Sequence, residues 1–462
     1  MWVERLQIDN IRSFEHQELS FARGRGEPYP WVTLLGENGG GKSTLLQSLG
    51  LLLAGPEGAQ TLLPRPSGWV RDESAPGQLQ VRIRAGDRDP GQPGDKKAPG
   101  AFNYGLKVTG RERLVIKRQV YSEPALVEEP SRALSWLRDT AFSSAGFGWF
   151  AAGYGSFRRL TRAGLLTVPA LPSLARYTNF VTQFVEDEPL ATFERWMVYL
   201  DYVAAKQGQE EVSRPERKRR EIRAQAYQRQ RELGVEAINR MLPEGTRFDS
   251  ISNEGRILFD VQGRKVPTVA LSDGYRSVLA LAGDLVWRLI QAFPFSDNPL
   301  HEEGVVLIDE LDIHLHPRWQ RHIAGWLRAQ FPNVQFIVAT HSPFVAAGAG
   351  EDALTLRLTL SQGATQVEPV DTLAALNVDR ILQSEAFGQL SPYSPETAKR
   401  IERYDALARK RRKRSPREER ELTELRAFMQ RARPVGGPPE PGSLEAKLDA
   451  YIEETLQREG RG

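Results

Sequence analysis

Residues 36–44 read GENGGGKST and carry the clearest chemical pattern in this chain of 462 residues. They fit G-x-x-x-x-G-K-[ST], in which glycines let successive backbone N–H groups converge on one point where no Cβ blocks a phosphate. An apolar run at 31–35 predicts a strand before the loop, and an apolar helix is predicted from Lys42 to about Leu53. The N-terminus of such a helix attracts anions. Strand, loop and helix together predict a nucleoside triphosphate site rather than a chance glycine-rich turn.

Two polar side chains of the loop have separate predicted tasks. Lys42 can reach the β- and γ-phosphates, and the Ser43 hydroxyl can ligate Mg²⁺. The predicted nucleotide-binding residues of the loop are Gly36, Asn38, Gly39, Gly40, Gly41, Lys42, Ser43 and Thr44.

A pair of acids ends a second apolar run. Residues 305–308 predict a buried strand that delivers Asp309 and Glu310 to its carboxyl end, the edge at which open α/β sheets bind ligands. Asp309 is predicted to join Ser43 in holding Mg²⁺, and Glu310 to orient or deprotonate an attacking water. Acids often cap strands, so it is the position of this strand after the phosphate loop that strengthens the prediction.

These motifs need a sheet to hold them, and the hydrophobic patterns supply its strands. Apolar runs separated by helices over 268–345 predict parallel strands that are buried on both faces. Alternating patterns near the start predict an antiparallel sheet, and apolar residues three and four apart predict helices further on. The individual predictions are two strands within 2–21, a surface loop at 54–76, strands at 78–85, 103–109 and 113–120, helices through 131–245, strands within 246–267, a helix from Tyr275 to Ala292, a strand at 304–310, a helix from Pro317 to Gln330, a strand from Val334 to Ala339, and a polar helical tail at 372–462 with a break at 434–442.

Composition limits the class of protein. The chain has no cysteine, which excludes disulfides, thiolate metal ligands and a cysteine nucleophile. No apolar run approaches the roughly 18 residues that span a bilayer, and the first residues lack a signal-peptide pattern, so we expect a cytoplasmic protein with no membrane partner. A net charge of +3 is weak evidence that the protein binds nucleic acid. Basic runs at 214–220 and 409–420 fit solvated helix faces or contacts with phosphates and acidic partners.

The motifs together resemble a known class of ATPase. Four segments stand in the order of the ABC-type ATPases: GENGGGKST at 36–44, LSDGYRS at 271–277, VVLIDELDIHLHP at 305–317 and ATHSPF at 339–344. With its opening VERLQIDNIRSFEHQELSF, the chain resembles the SMC/RecF-like branch, specifically the stand-alone ATPases related to the overcoming-lysogenization-defect (OLD) family.

This resemblance implies an α/β fold and a domain plan. The fold would be a P-loop ABC-type ATPase head, with a mixed sheet that has a parallel core, an antiparallel subdomain, a helical insertion and a helical C-terminal tail. The implied regions are a first ATPase lobe at 1–130, the insertion at 131–245, a second ATPase lobe at 246–371 and the appendage at 372–462.

The resemblance also implies roles for single residues. Ser272 and Gly274 would contact the γ-phosphate held by an opposite subunit; Ser272 fits a helix N-cap as well, and both interpretations can hold together. His341 resembles the switch histidine that hydrogen-bonds the γ-phosphate. With Glu310 and Lys42 it completes the predicted catalytic residues.

The phrase after the acids leaves alternatives open. Asp312 resembles the residue that couples two sites across a dimer. His314 and His316 could suggest a metal site, but their spacing near a turn favours packing.

Two further elements have no firm assignment. The glutamine that links nucleotide to the helical subdomain could be Gln183, and the stretch 150–159, with Tyr154 and Arg158, is another candidate. The turn at 12–13 either approaches the nucleotide or lies on the surface.

The resemblance finally implies a function. After His341 the sequence contains neither the D-x-D of a Toprim nuclease nor an H-N-H pattern, so a nuclease would be a separate protein. Such two-component arrangements occur in antiphage defence, including the Septu and PARIS types. The implied protein is an ATP- and Mg²⁺-dependent switch that forms an ATP-sandwiched dimer or a larger homo-oligomer and controls a separate effector. A RecF-like repair or clamping ATPase that binds DNA is the alternative, and a transporter's ATP-binding subunit is a third class.

Overall fold

The computed structural model describes most of the chain. The described residues are 1–24, 26–86, 89, 100–116, 119–142, 148–156, 158, 176–185, 192–206, 214–242, 245–374, 376–388, 393–410 and 414–432. The predicted break at 434–442 lies outside them. Among the described residues, no helix combines the length and apolar character needed to cross a membrane.

The strands and helices are as follows. The strands are β1 (Trp2–Ile11), β2 (Phe14–Ser20), β3 (Trp31–Gly36), β4 (Gly77–Arg84), β5 (Ala101–Ile116), β6 (Gln119–Glu128), β7 (Ala151–Tyr154), β8 (Thr246–Ile251), β9 (Ile257–Val261), β10 (Arg264–Pro267), β11 (Gly304–Ile308), β12 (Val334–Ala339), β13 (Leu354–Ser361) and β14 (Ala364–Val370). The helices are α1 (Lys42–Leu62), α2 (Leu134–Trp136), α3 (Val181–Phe184), α4 (Thr192–Lys206), α5 (Arg214–Met241), α6 (Asp273–Ala292), α7 (Pro317–Gln330), α8 (Pro343–Gly348), α9 (Val378–Gln383), α10 (Pro395–Ala408) and α11 (Pro416–Ala432).

A six-stranded sheet forms the centre of the larger of two compact units. Its order is β14-β13-β3-β12-β11-β7, and every neighbouring pair is parallel except β13 with β14. Every residue of β11 and β12 is buried, as in parallel sheets covered on both faces. Side chains alternate between two cores: Val306 and Ile308 pack with α6 and α7, whereas Val305 and Leu307 pack with α1 and the antiparallel sheet. The predicted α/β fold with a parallel core is confirmed.

The parallel arrangement brings the functional segments together. The carboxyl ends of β3, β11 and β12 lie at one edge of the sheet, because these strands run in the same direction. The segments that follow them are 36–44, 309–312 and 340–341. The topology therefore places the phosphate loop beside the acids and the histidine.

The antiparallel sheet differs from prediction in two places. Its order is β2-β1-β4-β5-β6, and β1, β2 and β4 lie where the alternating pattern predicts strands. The predicted interruption between 109 and 113 is wrong, since β5 runs continuously from Ala101 to Ile116. The pairing of β5 with β6 shifts register between Thr109 and Glu112. A β-bulge absorbs the residues that resemble a turn in sequence. The single strand predicted at 113–120 is wrong as well, because residues 113–116 end β5 whereas residues 119–120 begin β6, which continues to Glu128 and pairs with β5.

The predicted surface loop at 54–76 is wrong for its first part, because α1 continues to Leu62. The helix is kinked at Gly55, which adopts φ +79° beside the ring of Phe142, and Pro56 opens the next turn. Glycine tolerates this left-handed conformation and proline is accepted in a first helical turn. A Gly-Pro pair that looks like the end of a helix therefore marks a bend.

The region predicted as helical from 131 to 245 contains α4 and α5 but also the strand β7, which pairs with β11 at the edge of the central sheet. This strand has only four residues, and its Ala-Ala-Gly composition gives little β signal. The three strands β8, β9 and β10 confirm the prediction for 246–267.

The second compact unit comprises Leu382–Ser384 and Gly388–Gly462, and the first comprises Met1–Ile381 and Glu385–Phe387. Within the described part of the second unit, α10 and α11 pack around four buried side chains: Tyr404, Leu407, Leu422 and Met429. The regional boundaries at 130, 245 and 371 stay predictions.

Candidate nucleotide-binding site

Glycine is required in the phosphate loop (residues 36–44) for two separate reasons. Gly36, Gly39 and Gly41 all adopt positive φ angles, of +150°, +78° and +95°. A Cβ on Gly36 would lie 2.2 Å from the backbone oxygen of Leu358 in β13. A Cβ on Gly39 would meet nothing within 4 Å. Position 36 therefore needs glycine because the loop approaches strand β13 closely, and position 39 needs glycine for its backbone conformation alone.

Lys42 is held over the loop that it follows. Its Nζ donates hydrogen bonds to the backbone oxygens of Gly36 at 2.7 Å and Glu37 at 2.9 Å. Burial lowers the pKa of Lys42, while the nearby carboxylates of Asp309 and Glu310 act in the opposite direction. Lys42 therefore lies within electrostatic reach of the acids that follow β11.

The two hydroxyls after Lys42 lie in different environments. Ser43 is exposed in the first turn of α1, whereas Thr44 is buried. Arg12 Nη1 donates to Thr44 Oγ1 at 3.3 Å and to Gln47 Oε1 at 3.1 Å. The same guanidinium lies 4.4 Å from the ring centroid of Trp69. Arg12 thus packs beside α1, and Glu37, Asn38 and Ser43 are the exposed polar side chains of the loop.

The acids after β11 show one unsatisfied acceptor. The backbone N–H of Asp309 donates to Tyr154 O at 2.8 Å, which ties the end of β11 to β7. Asp309 Oδ1 is buried and has no hydrogen-bond partner among the described residues. A buried carboxylate oxygen without a donor is costly, and a bound cation offsets that cost. The donor chemistry at Asp309, with the exposed hydroxyl of Ser43, therefore fits Mg²⁺.

Glu310 has an uncommon backbone conformation. Its φ is +47°, in the left-handed region that non-glycine residues rarely adopt. Burial raises the pKa of Glu310, and the carboxylates of Asp309 and Asp312 raise it further, against the charges of Lys42 and Arg158. A strained backbone and a perturbed carboxyl pKa at the same residue are typical of functional positions.

A buried arginine lies directly behind these acids. Arg158 donates from Nη1 to Asp309 O at 2.5 Å and from Nη2 to Glu310 O at 2.8 Å. Burial lowers the pKa of Arg158 to about 10, so the guanidinium remains charged at neutral pH. The sequence suggested Arg158 only as one residue of a stretch near the site. Its partners are backbone carbonyls, which leave no pattern in a sequence.

The end of β12 is fastened to the same acids. Thr340 Oγ1 donates to Asp312 Oδ1, and the backbone N–H of His341 donates to the same oxygen at 3.1 Å. His341 is exposed, yet partial loss of solvent lowers its pKa, and the positive charge of Lys42 lowers it further. We call residues 309–312, Thr340, His341 and Arg158 the acidic corner. The charge of Lys42, at the phosphate loop, therefore affects the pKa of His341 in the acidic corner.

The segment 271–277, which resembles the signature motif, exposes Ser272 and Asp273 to solvent, whereas its last two residues are buried. Ser272 occupies the N-cap position of α6, is exposed, and makes no capping hydrogen bond with its side chain. Gly274 lies close to the loop between β11 and α7, since a Cβ on Gly274 would come within 3.0 Å of His314 O. In the described part of the chain, no hydrogen bond connects Ser272 or Gly274 with residues 36–44. The Ser272 hydroxyl is therefore not consumed by local capping.

His314 and His316 have different local environments. His316 Nδ1 accepts a hydrogen bond from the backbone N–H of Arg318 at 3.2 Å and so caps α7. His314 is exposed, with φ +65°. The described residues contain no group of three or more His, Asp or Glu that could hold a metal ion. The geometry supports a structural role for His316.

Gln183 lies in a tight space between α1 and β7. Both polar atoms of its side chain are buried without a hydrogen-bond partner among the described residues. A Cβ added to Gly50 or Gly153 would come within 2.5 Å and 2.2 Å of Gln183 Oε1. Tyr154, from the competing stretch, instead donates its hydroxyl to the buried Asp284 at 2.9 Å. Of the two candidates for the linking glutamine, Gln183 is the one with uncommitted polar atoms.

Comparison with known proteins agrees with this geometry. The model of the family described as "AAA domain, putative AbiEii toxin, Type IV TA system" matches residues 32–347. The chain is 26% identical over 416 residues to the Septu protein PtuA of Bacillus mycoides (strain KBAB4), which covers 87% of this chain and 47% of that protein. It is 33% identical over 149 residues to the Retron Vc95 probable ATPase of Vibrio cholerae serotype O1 biovar El Tor, covering 32% and 29%. The chain thus spans about half the length, or less, of these curated relatives. The resemblance to Septu-type ATPases is confirmed.

Solved structures give a weaker likeness. The SMC head domain from Thermotoga maritima is 14% identical, has a TM-score of 0.42, and covers 80% of this chain and 100% of that one.

Proposed function

Because the chain belongs to the family described as "AAA domain, putative AbiEii toxin, Type IV TA system", we propose that it is an ATP-hydrolysing molecular switch. It forms a dimer, or a higher homo-oligomer, through ATP and controls a separate effector, a nuclease or a toxin, in antiphage defence. The relatives named Septu protein PtuA and retron probable ATPase support this proposal.

One observation carries the ATPase proposal. Burial lowers the pKa of Lys42 at the phosphate loop, and the carboxylates of Asp309, Glu310 and Asp312, after β11, act against that fall. Asp309 Oδ1 is buried and has no hydrogen-bond partner among the described residues. A cationic phosphate cradle opposite a free carboxylate oxygen is the arrangement expected for a nucleotide bound with Mg²⁺. Ser43 and Asp309 would hold the ion, which supplies positive charge against the phosphates.

The remaining residues then have distinct tasks. The N–H groups of the phosphate loop and Lys42 bind the phosphates, and Lys42 exchanges its two carbonyl partners for phosphate oxygens. Glu310 accepts a proton from the attacking water, and the rise in its pKa favours this role, because a general base works best when its pKa lies near the working pH. The lowered pKa of His341 keeps its ring neutral at pH 7, so a ring N–H donates to the γ-phosphate.

The dimer proposal depends on the exposed start of α6. Ser272 offers an uncommitted hydroxyl, and Gly274 lies where a helix N-terminus attracts anions. A γ-phosphate bound to Lys42 of one subunit and to Ser272 of another contacts both subunits only in the assembled state. Such a differential contact shifts a dimer equilibrium. Hydrolysis removes that contact and releases the assembly.

The composite site has a sharp test. Lys42→Ala and Ser272→Ala are each expected to abolish steady-state ATP turnover when assayed alone. Mixing the two full-length variants should restore turnover to about a quarter of the wild-type value, because half of the randomly formed dimers contain one intact site of two. Glu310→Gln should accumulate an ATP-bound dimer or higher assembly, visible by light scattering after size-exclusion chromatography.

The outcomes separate the alternatives. Failure of the mixture to recover activity would contradict the shared site, and normal turnover by Glu310→Gln would contradict its role as base. A requirement for linear double-stranded DNA, with steep salt dependence, would instead support a RecF-like clamping ATPase that uses exposed basic residues such as Lys218 and Arg219 of α5. Turnover that rises with protein concentration and ignores DNA supports the switch.

A further inference from the structure

Arg158 contacts Asp309 and Glu310 through their backbone oxygens rather than through their carboxylates. Arg158 is 3% exposed, and the hydrogen bonds that its side chain donates within the described part of the chain all go to carbonyl oxygens. Nη1 bonds to Gly155 O at 2.7 Å and to Asp309 O at 2.5 Å, and Nη2 bonds to Glu310 O at 2.8 Å. A guanidinium is a rigid planar fork, so two of its N–H groups fix the relative orientation of two successive peptide carbonyls.

Those two carbonyls flank the strained residue of the site. The carbonyl of Asp309 precedes the φ angle of Glu310, and the carbonyl of Glu310 follows it. Glu310 has φ +47°, a strained conformation for a non-glycine residue that persists only where surrounding contacts hold it. The N–H groups on either side are also held, by Tyr154 for Asp309 and by Ala339 for Leu311. Arg158 is the side chain that closes this arrangement.

The charge of Arg158 is also placed where it is needed. Burial of a cation without an ion partner is expensive unless nearby charges compensate. The acids of the corner, with Asp309 foremost, act against the loss of protonation that burial alone would cause in Arg158. A neutral residue of similar length would fill the space but would not bridge the carbonyls.

We propose that Arg158 is the positioning residue for Glu310: it holds the carbonyls of residues 309 and 310 in the left-handed turn that presents the Glu310 carboxylate for hydrolysis. Arg158 touches no substrate atom and acts through Glu310. The inference rests on the proposed ATPase function for its catalytic part and on backbone geometry for its structural part. Each part has its own test.

The catalytic test is a split between kcat and KM. Arg158→Met should lower kcat for ATP by about 30-fold while KM changes by no more than about threefold, because the phosphate loop is untouched. Arg158→Lys, which keeps the charge and can bond to one carbonyl, should recover part of kcat. In a Glu310→Gln chain, Arg158→Met should cause no further loss of turnover. Equal multiplicative losses in both backgrounds would overturn the inference.

Arg176→Met is the matched control. Arg176 is another largely buried arginine that donates to a backbone oxygen, that of Trp149 at 2.6 Å, and burial lowers its pKa to about 10 as well. Its variant should lose thermal stability but keep kcat within about threefold of wild type. A comparable loss of kcat in Arg176→Met would show that any buried arginine matters through folding alone.

The structural test does not need ATP hydrolysis. If Arg158 maintains the left-handed conformation of residue 310, glycine at that position should reduce the need for it. The fall in Tm caused by Arg158→Met should therefore shrink by about half in a Glu310→Gly chain. The same fall in both backgrounds would overturn the inference. Absence of ATP turnover in the wild type would instead refute the proposed function and the catalytic part, with the Tm series deciding the structural part.

Discussion

The two halves of the candidate site are built in different ways. The phosphate loop is one continuous segment, shaped by glycine φ angles and by a lysine that bonds to carbonyls of its own loop. The acidic corner combines three segments that are distant in sequence, and hydrogen bonds from the buried residues Arg158 and Thr340 join them. A continuous motif can be recognised before folding, whereas the acidic corner exists only after the strands have assembled.

This difference predicts different vulnerabilities. The loop depends on the absence of atoms, so adding a single methyl group should disrupt it. The acidic corner depends on specific donors, so removing a single hydroxyl should loosen it. Burial makes both effects large, since neither the backbone of β13 nor the buried Thr340 can turn to water for compensation.

Gly36→Ala should have the largest effect on stability. The new Cβ would lie 2.2 Å from Leu358 O, which belongs to β13, a strand paired with β3. Overpacking against a backbone atom, together with strain at φ +150°, should reduce the free energy of unfolding by about 3–5 kcal/mol. Urea denaturation of the nucleotide-free protein measures it. Gly39→Ala is the control and should cost about 1–2 kcal/mol, because only its φ is unfavourable. Equal losses would contradict the close-approach argument.

The extent of successful prediction follows the same division. The phosphate loop, the strands β11 and β12 and the helix α7 were all predictable, since their signals are local: glycine spacing, apolar runs and a proline at the helix start. The strand β7 was not, because a strand of four residues, three of them alanine or glycine, forms only by pairing with β11. Arg158 carries no pattern either, since its partners are carbonyls that every residue possesses.

One missed element did carry a signal. Strands β13 and β14 form a hairpin around Gln362 and Gly363, both with positive φ. Residues 354–360 alternate leucine with polar side chains, and a Gln-Gly pair between two alternating runs indicates a tight turn. The hairpin could therefore have been predicted from sequence. Its importance could not, because only the structure shows that Leu358 limits the space at Gly36.

Thr340→Val should have the next largest effect and falls in the acidic corner. Thr340 is fully buried; its hydroxyl donates to Asp312 and accepts from the backbone N–H of Ser342 at 3.0 Å. Valine keeps the shape but leaves the Ser342 N–H without its partner, which should cost about 1–3 kcal/mol. ATP turnover should fall about tenfold, because the position of His341 depends on Asp312.

The control for this prediction is Thr340→Ser, which keeps the hydroxyl and loses one methyl group. It should cost about 1 kcal/mol and leave turnover within about twofold of wild type. Retention of full turnover by the valine variant would show that the link between Asp312 and β12 is not needed for the chemistry.

His316→Ala should have a smaller effect, confined to stability. The ring of His316 caps α7 by accepting from the Arg318 N–H, so its loss should cost about 0.5–1 kcal/mol. His316→Asn, which can also cap, should recover most of this loss, as judged by thermal unfolding. Turnover should not change in either variant. A loss of turnover that added Zn²⁺ or Mn²⁺ restored would favour a metal role for this histidine over the structural one.

The smallest effect should appear in the titration of His341, the residue at which the two halves meet. The charge of Lys42 lowers its pKa, in addition to the loss of solvent, whereas the carboxylates of Asp312 and Asp309 act to raise it. Because the folded-state pKa lies below the ordinary value, His341 contributes stability that is present above about pH 6.5 and is lost as the pH falls through the folded pKa. The free energy of unfolding of the wild type should therefore decline relative to His341→Gln on acidification.

In NMR titrations of the imidazole resonance of His341, identified by its absence in His341→Gln, Lys42→Met should raise the pKa of His341 and Asp312→Asn should lower it. If neither substitution changed the pKa of His341, the phosphate loop and the acidic corner would not share an electrostatic environment. The expected result, a higher pKa in Lys42→Met and a lower pKa in Asp312→Asn, would show that the phosphate loop and the acidic corner both act on the imidazole of His341.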